Sequence, residues 1–464
     1  MATRPNDGRL SLDALRDLIE RDEIETVLAV FPDLYGRLVG KRITGHFFLE
    51  ETLEGGMHAC DYLLACDMEM DPVPGYRFTS WAKGYGDVCC MPDLTTLRRA
   101  SWLDRTAIVL CDVYEDEGDA LVAVAPRTIL RRQMERAAAA GLLPMGGSEL
   151  EFFILRETYE SAHAKSFEGL DHFGWYVEDY HTLQGTKSEP LIGEIRRHLD
   201  RSGVPVEFSK GEWGPGQNEI NLRYADFLEM SDRHVIYKQA AKEIALQNGL
   251  AVTFMAKLDE RYAGSSMHLH SSLWSKDGRK ALFDSKEGGV GAGGYPDRFR
   301  WWLGGLVHHA RALTLLFAPT VNSYKRFRAG SFAPTRIAWS KDNRTVGFRV
   351  VGHGPSLRVE CRIPGADGNP YLAFAGTLAA GLDGIERKIE PPAVFEGDAY
   401  QAEELPRVPG TLPEAIAAFE ESELFTKAFG EDVVEHLLHF ARTEQRKFDE
   451  AVTGWERRRY LERA

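Results

Sequence analysis

Four separated stretches of this chain alternate polar and apolar positions, and each puts ionisable side chains on one face and apolar ones on the other. In 148–155, Glu149 and Glu151 share a face, while Leu150, Phe152 and Ile154 supply the opposite one. In a strand, two such carboxylates stand roughly 6.5 to 7 Å apart along the chain. Glu212 is followed by the turn Gly214-Pro215-Gly216 and then by a segment in which Glu219, Asn221 and Arg223 face one way and Ile220, Leu222 and Tyr224 the other. In 264–273, His268, His270 and Ser272 line one face, with Met267, Leu269 and Leu273 behind. In 358–363, Arg358, Glu360 and Arg362 are backed by Val359, Cys361 and Ile363. A curved antiparallel sheet with a concave polar face, its apolar face covered by helices, satisfies all four patterns at once.

The rest of the pattern predicts an α+β chain. Ser11 caps a short amphipathic helix, and strands are predicted over 25–31, 37–44, 87–91, 106–113 and 204–209. Residues 45–80 show no clean period and read as a long functional loop or a subunit contact. Helices are predicted over 126–140, ended by Gly141, and over 187–202, 229–248, 299–317, 371–388, 413–428 and 431–452. A small mixed domain over 1–120 and a larger one over 121–464 follow from this order.

Composition narrows the function classes. With 70 acidic against 56 basic side chains in 464 residues, the net charge of −14 argues against a nucleic-acid surface and repels anionic membranes. The six cysteines form no CxxC pair and read as reduced thiols. The first ten residues are polar rather than signal-like, and no apolar run approaches a membrane span, so a cytoplasmic protein is expected.

Five carboxylates (Glu149, Glu151, Glu212, Glu219, Glu360) and His268 cannot share a small volume uncompensated, which calls for divalent cations. Oxygen-rich ligation with one imidazole favours Mg²⁺ or Mn²⁺ over Zn²⁺. Arg326, Arg328, Arg336, Arg344 and Arg349 crowd a loop-like segment. Guanidinium groups opposite metal-bound carboxylates are suited to phosphoryl transfer, so ATP-dependent chemistry is the leading class. No Walker A pattern is present.

These residues resemble the glutamine synthetase superfamily over nearly the whole chain. The resemblance is carried by Glu149-Leu150-Glu151-Phe152-Phe153, Glu212 to Glu219, Met267-His268-Leu269-His270, Asn322-Ser323-Tyr324-Lys325-Arg326, Ala333-Pro334, Asn343-Arg344, Arg358 to Arg362 and Asn369-Pro370-Tyr371. It implies an N-terminal β-grasp domain, a C-terminal catalytic domain with a funnel-shaped site, and a homododecamer of two stacked hexameric rings. It also implies glutamate and ATP as substrates, two or three divalent ions per site, and activation of glutamate as γ-glutamyl phosphate before attack by an amine.

Position by position, the resemblance makes Glu151, Glu212 and Glu219 ligands of one metal, and Glu149, His268 and Glu360 of a second. Arg326 and Arg362 hold the γ-carboxyl and phosphoryl groups, Gly264 touches glutamate, Arg344 and Arg349 stabilise phosphate and nucleotide, and His270 and Ser272 lie near ATP. Departures from the family pattern carry the finer expectation. Phe332 stands where ammonium-using enzymes place a flap glutamate, Ala263 replaces an asparagine, and Ser266 replaces a glycine. The loop that completes the ammonium pocket is not recognisable, with Asp61 the nearest candidate and Tyr180 a further candidate at the amine site.

A desolvated ammonium ion needs a cage of acceptors, whereas an organic amine brings CH₂ groups to pack on an aromatic wall, each worth roughly 0.8 kcal/mol when buried. The expectation is therefore a γ-glutamyl-amine ligase using a short amine such as ethanolamine. A γ-glutamylpolyamine synthetase and a glutamine synthetase using ammonium are the alternatives.

Overall fold

A computed structural model of the chain describes residues 8–116, 118–289 and 291–464. It contains two sheets, the first built from strands within residues 26–115 and the second from strands within residues 142–361, with helices packed against both. The opening helix Leu12–Glu20 is capped by Ser11, whose side chain accepts from the Ala14 amide. It buries Leu15 and Leu18 against the first sheet's core.

In that sheet the strands run in the order Leu38–Thr44, Thr26–Pro32, Thr106–Glu115, Asp87–Pro92, Met57–Cys60, with Arg98–Arg99 also paired to Thr106–Glu115. Thr26–Pro32 and Thr106–Glu115 are parallel and the other pairs antiparallel. Residues 45–80, expected as loop, instead hold short helical turns over Gly45–Gly55 and the edge strand Met57–Cys60. That strand spans four residues with only Met57 and Ala59 buried, too short for alternation to register in sequence.

The larger sheet has the order Trp339–Lys341, Phe348–Val351, Arg358–Cys361, Met267–Ser275, Leu142–Leu155, Gln217–Leu222, Val206–Gly211. Ala225–Asp226 and Ala251–Thr253 add to Leu142–Leu155, which is the sheet's longest strand. All pairs are antiparallel except Trp339–Lys341 with Phe348–Val351, a departure from the all-antiparallel sheet expected. Leu150, Phe152, Ile220, Met267, Leu269 and Val359 are fully buried on the apolar face, under helices Pro126–Ala139, Phe227–Gln247 and Pro370–Arg387. Phe227 and Phe374, from two of those helices, meet with ring centroids 4.4 Å apart.

Two predicted helices are divided. The stretch 299–317 breaks into Asp297–His308 and Ala310–Phe317 at His309, whose ring turns aside to Asp383 at 2.7 Å. The stretch 413–428 breaks into Leu412–Glu420 and Glu423–Phe429 so that Phe419 stacks on Phe425 at 4.6 Å. A last short helix, Gly454–Tyr460, has a Thr453 capping box that sequence patterning passed over.

The regions around the two sheets are clasped by buried polar groups. Arg127, in the first turn of Pro126–Ala139, donates to Asp93 and Asp112 beside the first sheet and to Asp232 in helix Phe227–Gln247 against the second, and Asp232 also accepts from the Tyr371 hydroxyl at 2.7 Å. Asn369 donates to the backbone oxygens of Asp33 and Leu34 at 3.0 and 3.1 Å. No helix among the described residues is long and apolar enough to cross a membrane.

Candidate active site

Strand register puts the polar faces side by side. Glu149 lies opposite Asn221 on one side and opposite His268 on the other, while Glu151 faces Glu219, which in turn faces Lys210. Glu360 faces His270 on one neighbour and Arg349 on the next. Directly opposed residues on one face have Cβ atoms about 4.5 to 5.5 Å apart, so these side chains must meet. The turn at 214–216, made possible by the left-handed Gly216 (φ 75°), folds Glu212 back toward the same face.

Two groups of potential ligand atoms result, each with all its atoms within 4.8 Å of one another: Glu149, His268 and Glu360, and Glu151, Glu212 and Glu219. Their electrostatics differ. In the first, burial pushes the Glu360 carboxyl up, but Arg362, His268 and His270 outweigh it and hold it well below the usual range. Arg349 donates to Glu360 at 2.8 Å, and Arg362 pairs with it through Nη1. Glu149 is likewise held low against its burial, by His270 at 2.8 Å and His268 at 3.2 Å. His268 Nε2 is buried with no hydrogen-bond partner among the described residues.

In the second group, burial raises all three carboxyls, and Glu212 pushes both Glu151 and Glu219 further. The surrounding donors only partly offset this. The Ser266 amide donates to Glu151 at 2.7 Å, Asn221 to Glu219 at 2.7 Å, and Lys210 pairs with Glu212. A carboxylate triad left this short of positive charge fits a hard divalent cation, and so does the mixed triad with its one imidazole.

One cavity of about 440 Å³ is lined by both groups and by Gly264, Phe332, Arg344, Arg349, Arg362 and Tyr180. His270 and Ser272 instead line a cavity of about 430 Å³ with Phe208, Tyr224, Trp274 and Arg358. Glu149 belongs to both walls, so the two cavities adjoin. Gly264 approaches so closely that a Cβ there would lie 2.4 Å from the Arg326 side chain.

Phe332 has a left-handed backbone (φ 59°) and meets Trp213 edge-on, ring centroids 5.6 Å apart. Both rings are about half exposed, at 45% and 50%. Tyr180 is exposed and lies under the Lys210 ammonium, 4.6 Å from its ring centre.

Two expected residues are placed differently. Arg326 lines neither cavity: it is 1% exposed and its Nη groups donate to the backbone oxygens of Arg362, Ile363 and Pro364 at 2.8 to 3.0 Å. Asp61 sits at the end of Met57–Cys60 in the first sheet, away from both cavities of its own chain.

Sequence reasoning passed over Lys210, Asp179, Gln217 and the pairing of Arg358 with His270. Gln217 donates to Gly264 O at 3.0 Å and Ser265 Oγ at 3.1 Å, and Arg358 Nε reaches His270 Nδ1 at 3.0 Å. Alternation back from Glu212 already puts Lys210 on the same face, so that signal was present.

Residues 123–460 match the family described as glutamine synthetase, catalytic domain. The chain is 47% identical over 454 residues to gamma-glutamylethanolamide synthetase GlnA4 of Streptomyces coelicolor, covering 98% of this chain and 96% of that protein. It is 35% identical over 452 residues to a glutamate–isopropylamine ligase of a Pseudomonas species, covering 97% of each. Among solved structures, one described as a GmaS/ADP complex superposes with a TM-score of 0.83 at 29% identity, covering 96% of this chain and 99% of that one. Sequence, fold and the register that gathers Glu149, Glu151, Glu212, Glu219, His268 and Glu360 agree: this chain belongs to the glutamine synthetase family.

Proposed function

We propose that this protein is an ATP-dependent ligase that joins the γ-carboxyl of glutamate to a short organic amine of the ethanolamine type, through γ-glutamyl phosphate. One observation carries the choice of an organic amine over ammonium: Phe332, packed on Trp213, occupies the flap position beside Glu212 where a proton-accepting carboxylate would serve ammonium. An aromatic wall offers no group to take a proton from an ammonium ion and offers contact area to an amine's carbon atoms. The relatives named for ethanolamide and isopropylamine products support the same reading.

On this reading Glu151, Glu212 and Glu219 hold one Mg²⁺ or Mn²⁺ ion, and Glu149, His268 and Glu360 another. When bound, such ions neutralise the negative charge of a phosphoryl group in transfer. The chain's own side chains supply the rest. Arg362 and Arg344 face the cavity and neutralise the oxygens of the carboxyl and phosphoryl groups, as a planar guanidinium does well. Arg349 is held by Glu360 and Asp342 at the rim. ATP fits the adjoining cavity, where Phe208, Tyr224 and Trp274 provide apolar walls, and Ser272, His270 and Arg358 polar groups. Asp61 would complete the amine pocket only from a second subunit, consistent with a dodecamer of two hexameric rings, and a cytoplasmic setting is part of the same proposal.

The test is ADP release with glutamate, ATP and Mg²⁺ across ammonium, ethanolamine, isopropylamine and putrescine, with the amide identified by mass spectrometry. Ethanolamine or another short monoamine should give the highest kcat/KM. Ammonium outperforming every organic amine would reject the proposal, and a phosphorylated product without amide would assign a kinase instead.

A further inference from the structure

The part of the cavity around Glu212 contains a cation that the reaction outlined above does not use. Lys210 pairs with Glu212, faces Glu219 across the sheet, and is 18% exposed. Its ammonium sits over the Tyr180 ring at 4.6 Å, and the neighbouring Asp179 amide donates to Glu212 O at 2.9 Å. Trp213, next in the chain to Glu212, makes the edge-on contact with Phe332. Ammonium, aromatic wall and Glu212 therefore share one end of the cavity. Were Glu212 to serve as an ion ligand, the Tyr180 face would remain as the seat that keeps the Lys210 ammonium at this end.

We infer that Lys210 determines specificity: its ammonium, held between Glu212 and Tyr180 beside the aromatic wall, admits primary amines with neutral tails and turns away those carrying a second cationic group. The inference rests on the amine-ligase reading above and narrows its substrate class. Discrimination by repulsion is the economical route here, because an aromatic wall alone favours the longer carbon chain of a diamine and would select for it. Asp179 at the same end would also attract a second ammonium unless a nearby cation opposed it. Two like charges about 7 Å apart in a partly desolvated cavity are enough to shift relative kcat/KM about tenfold. A Lys210 that served only as counter-ion to Glu212 and Glu219 would, on removal, change turnover with every amine by the same factor.

The experiment compares kcat/KM for ethanolamine and for putrescine in the wild type, Lys210→Met, Lys210→Glu and Lys210→Arg, with Mn²⁺-induced thermal stabilisation measured on each. The wild type should favour ethanolamine. The ethanolamine-to-putrescine ratio should fall about tenfold in Lys210→Met, further in Lys210→Glu, and stay within twofold in Lys210→Arg. A wild type that uses putrescine as well as ethanolamine overturns the inference, as does a ratio unchanged in Lys210→Met at whatever absolute rate. If the neutral and acidic variants fail to fold or to respond to Mn²⁺, Lys210→Arg decides: acceptance of putrescine by that variant overturns the inference. Failure of the underlying ligase reading is seen separately, as a wild type that forms no amide with any organic amine.

Discussion

Arg326 Nη2 donates to the backbone oxygen of Arg362 at 3.0 Å, while the side chain of Arg362 turns into the cavity to pair with Glu360. One arginine thus holds the strand end that presents another. Arg326 spends both Nη groups on three consecutive carbonyls, and a lysine cannot reproduce that fork. Arg326→Lys should leave buried carbonyls unpaired, lowering stability by about 2 to 4 kcal/mol and kcat by tenfold or more, with the glutamate KM little changed. Urea unfolding and steady-state kinetics check this. A large rise in glutamate KM with unaltered stability would instead return Arg326 to direct substrate contact.

Phe332 separates an aromatic wall from a proton acceptor in a single position. Phe332→Ala should raise the KM for the organic amine about tenfold, since roughly one aromatic contact is lost, and leave the KM for ATP alone. Phe332→Glu should lower kcat/KM for ethanolamine by at least as much while raising the relative rate with ammonium. A competition assay with both nucleophiles, read by amide product ratio, measures the switch. An unchanged ratio in Phe332→Glu would remove this residue from nucleophile selection.

Glu219 shows the cost of the carboxylate triad without a counter-ion. Burial and three neighbouring carboxylates, Glu212, Glu149 and Glu151, all raise its pKa, so the metal-free protein is strained there. Glu219→Gln keeps the shape and removes one repelling charge, and its expected signature has two opposite signs. The metal-free Tm should rise or hold, whereas the stabilisation by Mn²⁺ at a hundredfold over its Kd, about 2.7 kcal/mol per site in the wild type, should shrink to what the Glu149, His268 and Glu360 group alone supplies. Thermal scans with chelator and with Mn²⁺ make the comparison. A variant still stabilised as strongly as the wild type would take Glu219 out of the ligand set.

How much of this was legible in the sequence depends on the range of the interaction. Alternation within one strand places Glu149 with Glu151, or His268 with His270, because the side-chain period is two and strictly local. Register between strands is not local. The opposition of Lys210 to Glu219, or of Glu360 to Arg349, arises from pairing across loops and escaped a reading made segment by segment. The orientation of Arg326 escaped for a related reason. Its motif marks a position near the site, but burial turns its guanidinium onto the backbone at 362–364, which residue type alone does not reveal. The break at His309 was hidden because apolar positions continue at helical spacing on both sides of His308 and His309, and it is marked by the His309 ring's bond to Asp383.

His436 gives a prediction that lies far from the chemistry. It is 1% exposed in helix Glu431–Glu450, bonds the Leu64 oxygen at 2.8 Å and packs on Tyr76 with ring centroids 4.4 Å apart, tying the last long helix to the 45–80 segment. Burial pushes its pKa down to about 4, against the Leu64 oxygen, which favours the charged form, and with the help of the neighbouring His439. The unfolded chain titrates this ring near 6.5, so between there and pH 4 the unfolded state binds more protons and stability rises with pH. The contribution is complete above pH 6.5 and is lost as pH falls toward 4, at most about 3 kcal/mol. His436→Gln can still donate to Leu64 but cannot titrate. It should therefore flatten the fall in urea midpoint between pH 7 and 4.5 relative to the wild type, even if its stability at pH 7 is lower. Parallel pH profiles for the two proteins would mean that His436 is already hydrated in the native state and carries no part of the acid sensitivity.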